Sequence, residues 1–466
     1  LTGWDTSSVE DMEDMFESAW AFNQPLTGWD TSSVEDMQDM FEFTRAFNQD
    51  ISHFNTAAVT NMSLMFSGAI AFNNGGESLA TNGNLWNTAL VANMSYMFNN
   101  ALLFNQDIRT WNTAAVTNMK AMFQNAADFN NNSQPLATNG DSWNTAKVAN
   151  MSYMFYGARA FNQDNSTWNT AKVTNMNNMF YGATAFNNNS QPLATNGDSW
   201  NTALVTNMSY MFHGAPAFNQ NIGNWNTAKV TNMDRMFTHA TAFNNGGVSL
   251  ATNGDSWNTA LVTNMHSMFY NAPAFNQNIG NWNTAKVTIM NYMFGLTYFN
   301  QDIRRWNTRA VTNMTGLFLS APKMIAKYSR AKGFNATPTN AFFNGGGRFP
   351  QKKKQTDIIK QEAETISTDQ GELTITEVQQ AIKNGKEPTM NGGLITIKAA
   401  IQYTSDNNEQ QVLYITSQNN QINNIYNLFV QAKKGNYLTS VLTQYKNDYN
   451  ASSYYLNIIN AIANSL

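Results

Sequence analysis

The sequence predicts a repeat solenoid followed by a small, mainly helical α+β domain, and three observations predict it. First, an aromatic residue followed by Asn or Asp and then Thr recurs twelve times, at Trp4, Trp29, Phe54, Trp86, Trp111, Trp143, Trp168, Trp200, Trp225, Trp257, Trp282 and Trp306. Second, the steps between these anchors are 25 and 25, then four alternations of 32 and 25, then 24. Third, the pattern stops near residue 320, and the composition turns basic. At 466 residues the chain is too long for one conventional core but suits a linear array. The expected organisation is a solenoid over 1–320, a basic capping segment and Gly-rich linker over 321–354, and a C-terminal anchoring or assembly domain over 355–466.

One unit runs from Trp168 through Val173, Asn175, Met176, Met179, Phe180 and Ala183 to Phe186-Asn187. Its apolar positions step by three, which matches neither a clean strand alternation nor a free-standing helix. It fits a coil of one short strand, placed at 172–175, and one helical turn, placed at 177–181, closed by tight corners. Each coil buries its Trp, Met and Phe only against its neighbours, so one copy alone should not fold.

Two polar rows accompany this core. Asn175 has equivalents in ten of the other coils, as Asp11, Asp36, Asn61 and so on, while Ile289 interrupts the row. A second Asn follows each final Phe, from Asn23 to Asn300. Both read as ladders that satisfy corner backbone groups, because a buried corner must pair its amides somewhere.

The 32-residue units carry an insertion that ends in an Asn-Gly turn signal. These compact loops should form one row of four, roughly 10 Å apart, along one edge. Repeat insertions gather on one face, so Asn82, Gly83, Asn139, Gly140, Asp141, Asn196, Gly197, Asp198, Asn253, Gly254 and Asp255 are the candidate partner-contact residues. The competing reading is a pair of corner designs spread by duplication of a two-coil unit.

Charge is distributed unevenly along the chain. Residues 1–50 hold twelve acids against Arg45 alone, residues 51–320 hold nine acids and eleven bases, and residues 321–466 hold ten acids and fifteen bases. The acidic substitutions in the first two coils, among them Glu10, Glu13, Asp14, Glu35 and Asp39, fall at solvent-type positions. The segment 321–354 has no acid and eight bases: Lys323, Lys327, Arg330, Lys332, Arg348, Lys352, Lys353 and Lys354. That segment is the candidate basic docking surface. Without interleaved aromatics it reads as a solvated linker or a protein-docking segment rather than a nucleic-acid site.

The pattern W-[ND]-T-x-x-V-[TE]-[ND]-M-x-x-M-F-x-x-A-x-x-F-N resembles the bacterial surface-protein repeat of about 26 residues, also described as the mycoplasma lipoprotein-type repeat. It also resembles BspA-like leucine-rich repeats and repeats encoded by large DNA viruses and their hosts. The resemblance spans residues 1 to about 320. It implies a leucine-rich-repeat-like solenoid on surface-exposed or secreted proteins, often adhesive, and it carries no catalytic residues. The alternating insertion departs from that pattern, and no lipobox or sorting signal is visible.

Beyond the repeats, Phe342-Phe343 should cap the core, and Gly345–Gly347 reads as a hinge. A capping box at Thr374–Glu377 opens a helix ending at Gly385. Strands are expected at 394–398 and 412–416, and helices near 422–434, 437–449 and 454–462.

Chemistry finds little support. Cysteine is absent, which removes disulfides and thiolate metal sites. The four histidines, His53, His213, His239 and His266, occupy different coil positions and read as surface substitutions. Asp141, Asp198 and Asp255 match no calcium-loop spacing, and Asn84 replaces the first of their series. No phosphate loop, HExxH pair or nucleophile elbow occurs, and no apolar run reaches membrane-spanning length.

The expectation is therefore a non-enzymatic protein without cofactor or metal. It is displayed at the cell surface or outside the cell, where it binds other proteins or surface glycans. The alternative is a structural component of a large assembly, such as a virion fibre or capsid-associated protein, held through 321–466.

Overall fold

The computed structural model describes residues 3–344 and, beyond them, 383–384, 389–390, 395–404, 410–416, 426, 430, 433 and 460–463. The chain divides into two compact units, Leu1–Gly346 and Gly347–Leu466.

In the first unit, successive repeats stack as coils, each beginning at one of the twelve anchors. Equivalent residues of neighbouring coils form one-residue parallel bridges that run without a break from Asp11 through Asp36, Asn61 and Asn93 to Ile289 and Asn313. The core is a set of columns along this stack. Val173, Met176, Met179, Phe180, Ala183, Phe186 and their equivalents in the central coils are fully buried. The Met-Phe rings stack continuously, with Phe155, Phe180, Phe212 and Phe237 at centroid separations of 5.6–5.7 Å.

The Trp column stacks in pairs instead: Trp86–Trp111, Trp143–Trp168, Trp200–Trp225 and Trp257–Trp282 lie 5.6–5.8 Å apart. Two coils, one short and one long, therefore make up the structural period. Each paired indole N–H donates to a carbonyl of the preceding coil. Trp143 reaches Ile108 O at 2.8 Å and Trp168 reaches Leu136 O at 2.7 Å. The polar atom of a large buried ring is thus satisfied where it lies.

The expected strand at 172–175 is reduced to the single bridging residue Asn175, and the turn at 177–181 is not helical. Two residues per coil, Asn178 (φ 59°) and Gly182 (φ 65°) in the seventh, take the left-handed conformation. N–H groups consequently alternate in direction. Met176, Asn178, Phe180 and Gly182 donate to Asn207, Ser209, Met211 and His213 in the next coil, at 2.7–3.2 Å. Met179, Tyr181 and Ala183 close local three-residue turns. A helical turn would aim every N–H along its own axis and leave the neighbouring coil unpaired, so alternation satisfies more backbone. It does so although left-handed backbone costs a non-glycine residue about 1–2 kcal/mol.

The anchor motif has a separate task for each residue. The Trp enters the core. Asn169 Oδ1 accepts the Ala171 N–H in an Asx turn (3.0 Å), and the buried Thr170 hydroxyl donates to Asn201 O of the next coil (2.9 Å). In the row containing Asn175, the side chain makes another Asx turn, to the Asn177 N–H at 3.1 Å, while the backbone makes the bridge. Ile289 consequently loses the Asx turn and keeps its rung, contrary to the expected gap. The Asn row after the Phe is a true side-chain ladder: Asn162 Oδ1 accepts the Asn187 N–H at 2.8 Å, and Asn187 Oδ1 accepts the Asn219 N–H at 2.9 Å.

The stack ends in α1 (Pro322–Tyr328) and α2 (Asn340–Asn344). Phe342, Phe343, Met324 and Tyr328 are buried there, and Phe342 meets Phe318 edge-on at 5.7 Å, which terminates the parallel ring stack. Ala336 O still accepts the Phe318 N–H, so residues 321–344 belong to the first unit.

In the second unit, β1 (Thr389–Met390), β2 (Ile395–Thr404) and β3 (Gln410–Thr416) form an antiparallel sheet in that order, with a bulge at Ile397/Ala399. The two expected strands correspond to β2 and β3, both longer than anticipated. Lys383, Tyr426, Val430, Lys433 and residues 460–463 are helical. The rest of the expected helices and the Gly345–Gly347 hinge lie outside the described residues.

Candidate interaction surface

The insertions are built into the stack from below and exposed only at their tips. Each starts with a buried left-handed Asn. Asn188 (φ 51°) accepts the Asn165 N–H on Oδ1 and donates from Nδ2 to Gln191 O, both at 2.9 Å. A short 3₁₀ turn over Asn188–Ser190, and its equivalents, redirects the chain. Leu79, Leu136, Leu193 and Leu250 then enter the core, and their carbonyls receive the indole N–H of Trp111, Trp168, Trp225 and Trp282. Sequence reading missed both the buried Asn and this Leu; the signal was their recurrence at fixed distance from the Asn-Gly pair.

The tip itself is a two-residue hairpin. Asn196 and Ser199 exchange both backbone hydrogen bonds at 3.0 Å around Gly197-Asp198. Gly197 has φ +59° and Asp198 does not take a left-handed φ, the type II′ requirement that places glycine at the first central position. Each tip is tied to its own coil and to the next. Asp198 O accepts the Thr170 N–H from the start of the same coil (3.0 Å), and the Thr195 N–H donates to Asn224 Oδ1 in the next (2.9 Å). All eleven candidate contact residues, from Asn82 to Asp255, are solvent-exposed and recur every second coil.

Of the basic segment, Lys323, Lys327, Arg330 and Lys332 are exposed on or just after α1. Lys323 Nζ lies 5.6 Å from the Tyr298 ring, and Lys327 Nζ donates to Asn300 O at 2.8 Å. Arg348, Lys352, Lys353 and Lys354 lie outside the described residues.

Only one of the four histidines, His239, is fully exposed, which corrects their reading as surface substitutions. His213 is half-buried and stacks on Tyr181 at 4.5 Å, extending a Tyr156–Tyr181 stack of 4.4 Å. Burial, then the charges of His239 and Arg235, lower its pKa to about 4. His266 Nδ1 faces Asp234 Oδ1 at 3.1 Å, His239 pairs with Asn271, and His53 pairs with Leu26 O. The histidines share no ligand set. Among the described residues, one acidic trio, Glu13, Asp14 and Asp39, could converge on a cation, and none of the hairpin aspartates joins it. No helix of the described residues is long and apolar enough to cross a membrane.

With this geometry established, the chain matches the profile of the family described as "Mycoplasma protein of unknown function, DUF285" in five segments: 1–85, 76–141, 133–197, 191–253 and 247–356. The inner segments advance in steps close to the two-coil period. Neither the curated proteins nor the solved structures contain a match to the chain.

Proposed function

The chain belongs to the DUF285 family of mycoplasma proteins of unknown function, and from that premise we propose that it is a non-enzymatic solenoid displayed at the cell surface or outside the cell. Its stack acts as a rigid presenter of side chains to other proteins or surface glycans. The carrying observation is the row of four hairpin tips, each exposed, each fixed to its own coil and the next, and each presenting the same Asn-Gly turn. Preorganisation of this kind removes ordering costs that a flexible loop would pay on binding. A repeated partner engaging several tips would gain avidity without any single strong contact. The Asn, Gly and Asp groups at the tips offer backbone and side-chain hydrogen bonds but little apolar area, which suits a polar ligand better than an apolar one.

The test is a glycan array together with immobilised extracellular-matrix proteins, probed with the full chain and with a tip variant. That variant carries Asp141→Ala, Asp198→Ala, Asp255→Ala and Asn82→Ala. The reading expects a ligand that the tip variant loses while thermal unfolding stays unchanged. A ligand bound equally by both proteins, or no ligand on either panel, would sink it. The opposite charge of the two ends of the stack favours a second reading, a structural subunit of a larger assembly.

A further inference from the structure

Apart from Trp4, Leu90, Leu204, Val248 and Leu261, the exposed large apolar residues of the stack lie toward its two ends and share one side. Four coil positions define that side, the thirteenth, fourteenth, sixteenth and seventeenth residues after the anchor. In the first four coils they carry Trp20 (63% exposed), Phe43, Ile70, Leu102 and Leu103 (50%). In the eleventh and twelfth coils they carry Leu296, Tyr298 (53%) and Leu319, with Ile325 of α1 beside them. Between these ends the same positions carry no aliphatic residue larger than alanine or proline, and are held instead by Gly, Ala, Thr and Pro together with Tyr, His and polar residues such as Tyr156, Tyr181, His213 and Arg159. Backbone bonds hold the column in register: Ala46 N to Trp20 O (3.2 Å), Leu103 N to Ile70 O (3.3 Å) and Leu296 N to Leu319 O (2.8 Å).

The charge around the two apolar ends is opposite. Glu13, Asp14, Glu17 and Glu42 surround the first, where Arg45 is the sole cation of residues 1–50, its guanidinium 5.6 Å from the Trp20 ring. Lys323, Lys327, Arg330 and Lys332 surround the second, with no acid between 321 and 354. Glu13 and Asp39 accept hydrogen bonds from Gln38, but none of these acids forms an ion pair among the described residues. Burial and neighbouring carboxylates hold Asp39 and Glu42 above their ordinary range, which a cation from outside would reverse.

We propose that two copies of the chain pair side by side and antiparallel, each laying its acidic, apolar first coils against the basic, apolar last coils and α1 of the other. A two-fold axis across the stack satisfies both contacts at once with a single surface. Twelve coils at about 4.8 Å give a strip roughly 55 Å long. At about 10 Å wide, it buries roughly 1,100 Å² over both copies, the lower edge of specific interfaces. Association should therefore be weak and salt-sensitive. It uses a side of the coil other than the hairpin tips, so tip variants leave it unchanged, and failure of either reading is separable from the other.

Sedimentation velocity of the full chain at low and high salt tests this. The expected result is a dimer at low salt that dissociates as salt rises. Two charge-reversed proteins, one with Glu13→Lys and Glu17→Lys, the other with Lys323→Glu and Arg330→Glu, should each be monomeric. Their equimolar mixture should form a heterodimer, and Trp20→Ser should weaken the wild-type dimer at least tenfold. A wild-type monomer at every concentration, a dimer indifferent to both reversals, or open-ended oligomers in place of a dimer would each overturn the proposal.

Discussion

Coils one and two differ from the coils at the centre of the stack mainly in what surrounds a shared core recipe. Trp4 is 56% exposed and Phe16 and Phe22 are half-buried, whereas Trp168, Phe180 and Phe186 are fully enclosed between coils on both sides. The first coils carry carboxylates at rim positions where the central coils carry Asn, Ser, Tyr or His. The columns repeat whatever the rim does. The lesson is that stacking contacts specify this fold, while the rim is left to set charge, pH response and partners. Each of the following measurements presses on that division.

The largest effect should come from the anchor. Trp168→Ala removes a fully buried ring, its stack on Trp143 at 5.7 Å and its indole bond to Leu136 O. The expected loss is about 3–5 kcal/mol locally. Trp4→Ala, at the open rim, should cost under about 1 kcal/mol. Hydrogen exchange read coil by coil would show the central coils opening in the first variant and not in the second. Equal losses would mean that the two regions do not differ in burial as described.

A gain is expected at Asn165. The third-last residue of each short coil is Leu26, Ile51, Ile108, Ile222, Ile279 or Ile303, all buried, and at Asn165 alone it is polar. Asn165 is fully buried, and neither side-chain amide atom has a partner. Asn165→Ile restores the column and removes that penalty, so it should stabilise by about 1–3 kcal/mol. A denaturant midpoint that stays put or falls would show that the Asn side chain is satisfied in solution.

These two sites also mark what could be read in advance. The core columns within the repeat were legible because apolar residues recur with the anchor, whereas the Leu and Ile column before the anchor, and Asn165 within it, went unread. The route of the backbone was not legible. Tyr153, Leu64 and Ala121 all adopt left-handed φ near 55–61° against their own propensity, because inter-coil hydrogen bonding rewards it. A propensity argument therefore places a helical turn where the chain alternates its amides. The hairpin tips were legible from Asn-Gly, but the buried Leu beneath them was not, since the inserts look polar as a whole.

Acidification should move the two regions in opposite directions. In the first coils, burial and neighbouring acids raise Asp39 and Glu42 above their ordinary 3.8 and 4.5. The folded state then holds protons more tightly than the unfolded one, so these coils gain stability as pH falls through the raised values. His213 is the reverse. Its pKa is lowered from 6.5 to about 4, chiefly by burial, so stability is lost as pH falls across that window. The full shift corresponds to about 3 kcal/mol. Solvent screening of a half-buried ring reduces this to roughly 1–2 kcal/mol. Exchange protection corrected for intrinsic rates, compared at pH 7 and pH 4.5, should fall around His213 and rise around Asp39, and His213→Phe should flatten the first trend. Protection moving the same way in both regions would refute the assignment.

The smallest effect concerns the second left-handed position of each coil. The central coils place glycine there, at Gly157, Gly182 and Gly214, whereas the first two place Ser18 and Phe43 at φ 57° and 55°. The Ser18 N–H donates to Glu42 O at 2.7 Å, a backbone bond that any residue retains. Ser18→Gly thus relieves roughly 1 kcal/mol of left-handed strain. It gives back part of that through the greater freedom of glycine in the unfolded chain. The net gain should be a few tenths of a kcal/mol, confined to the first coils. The mirror change, Gly182→Ala, meets only ordinary contacts, with Gly157 Cα 3.8 Å from the new Cβ, so any cost reflects φ alone. If both variants shift the denaturant midpoint in the predicted opposite senses, the first coils are strained where the central ones are relaxed. A Gly182→Ala protein as stable as the parent would mean that the stack does not enforce left-handed backbone at its centre, and the contrast between rim and core would narrow to charge.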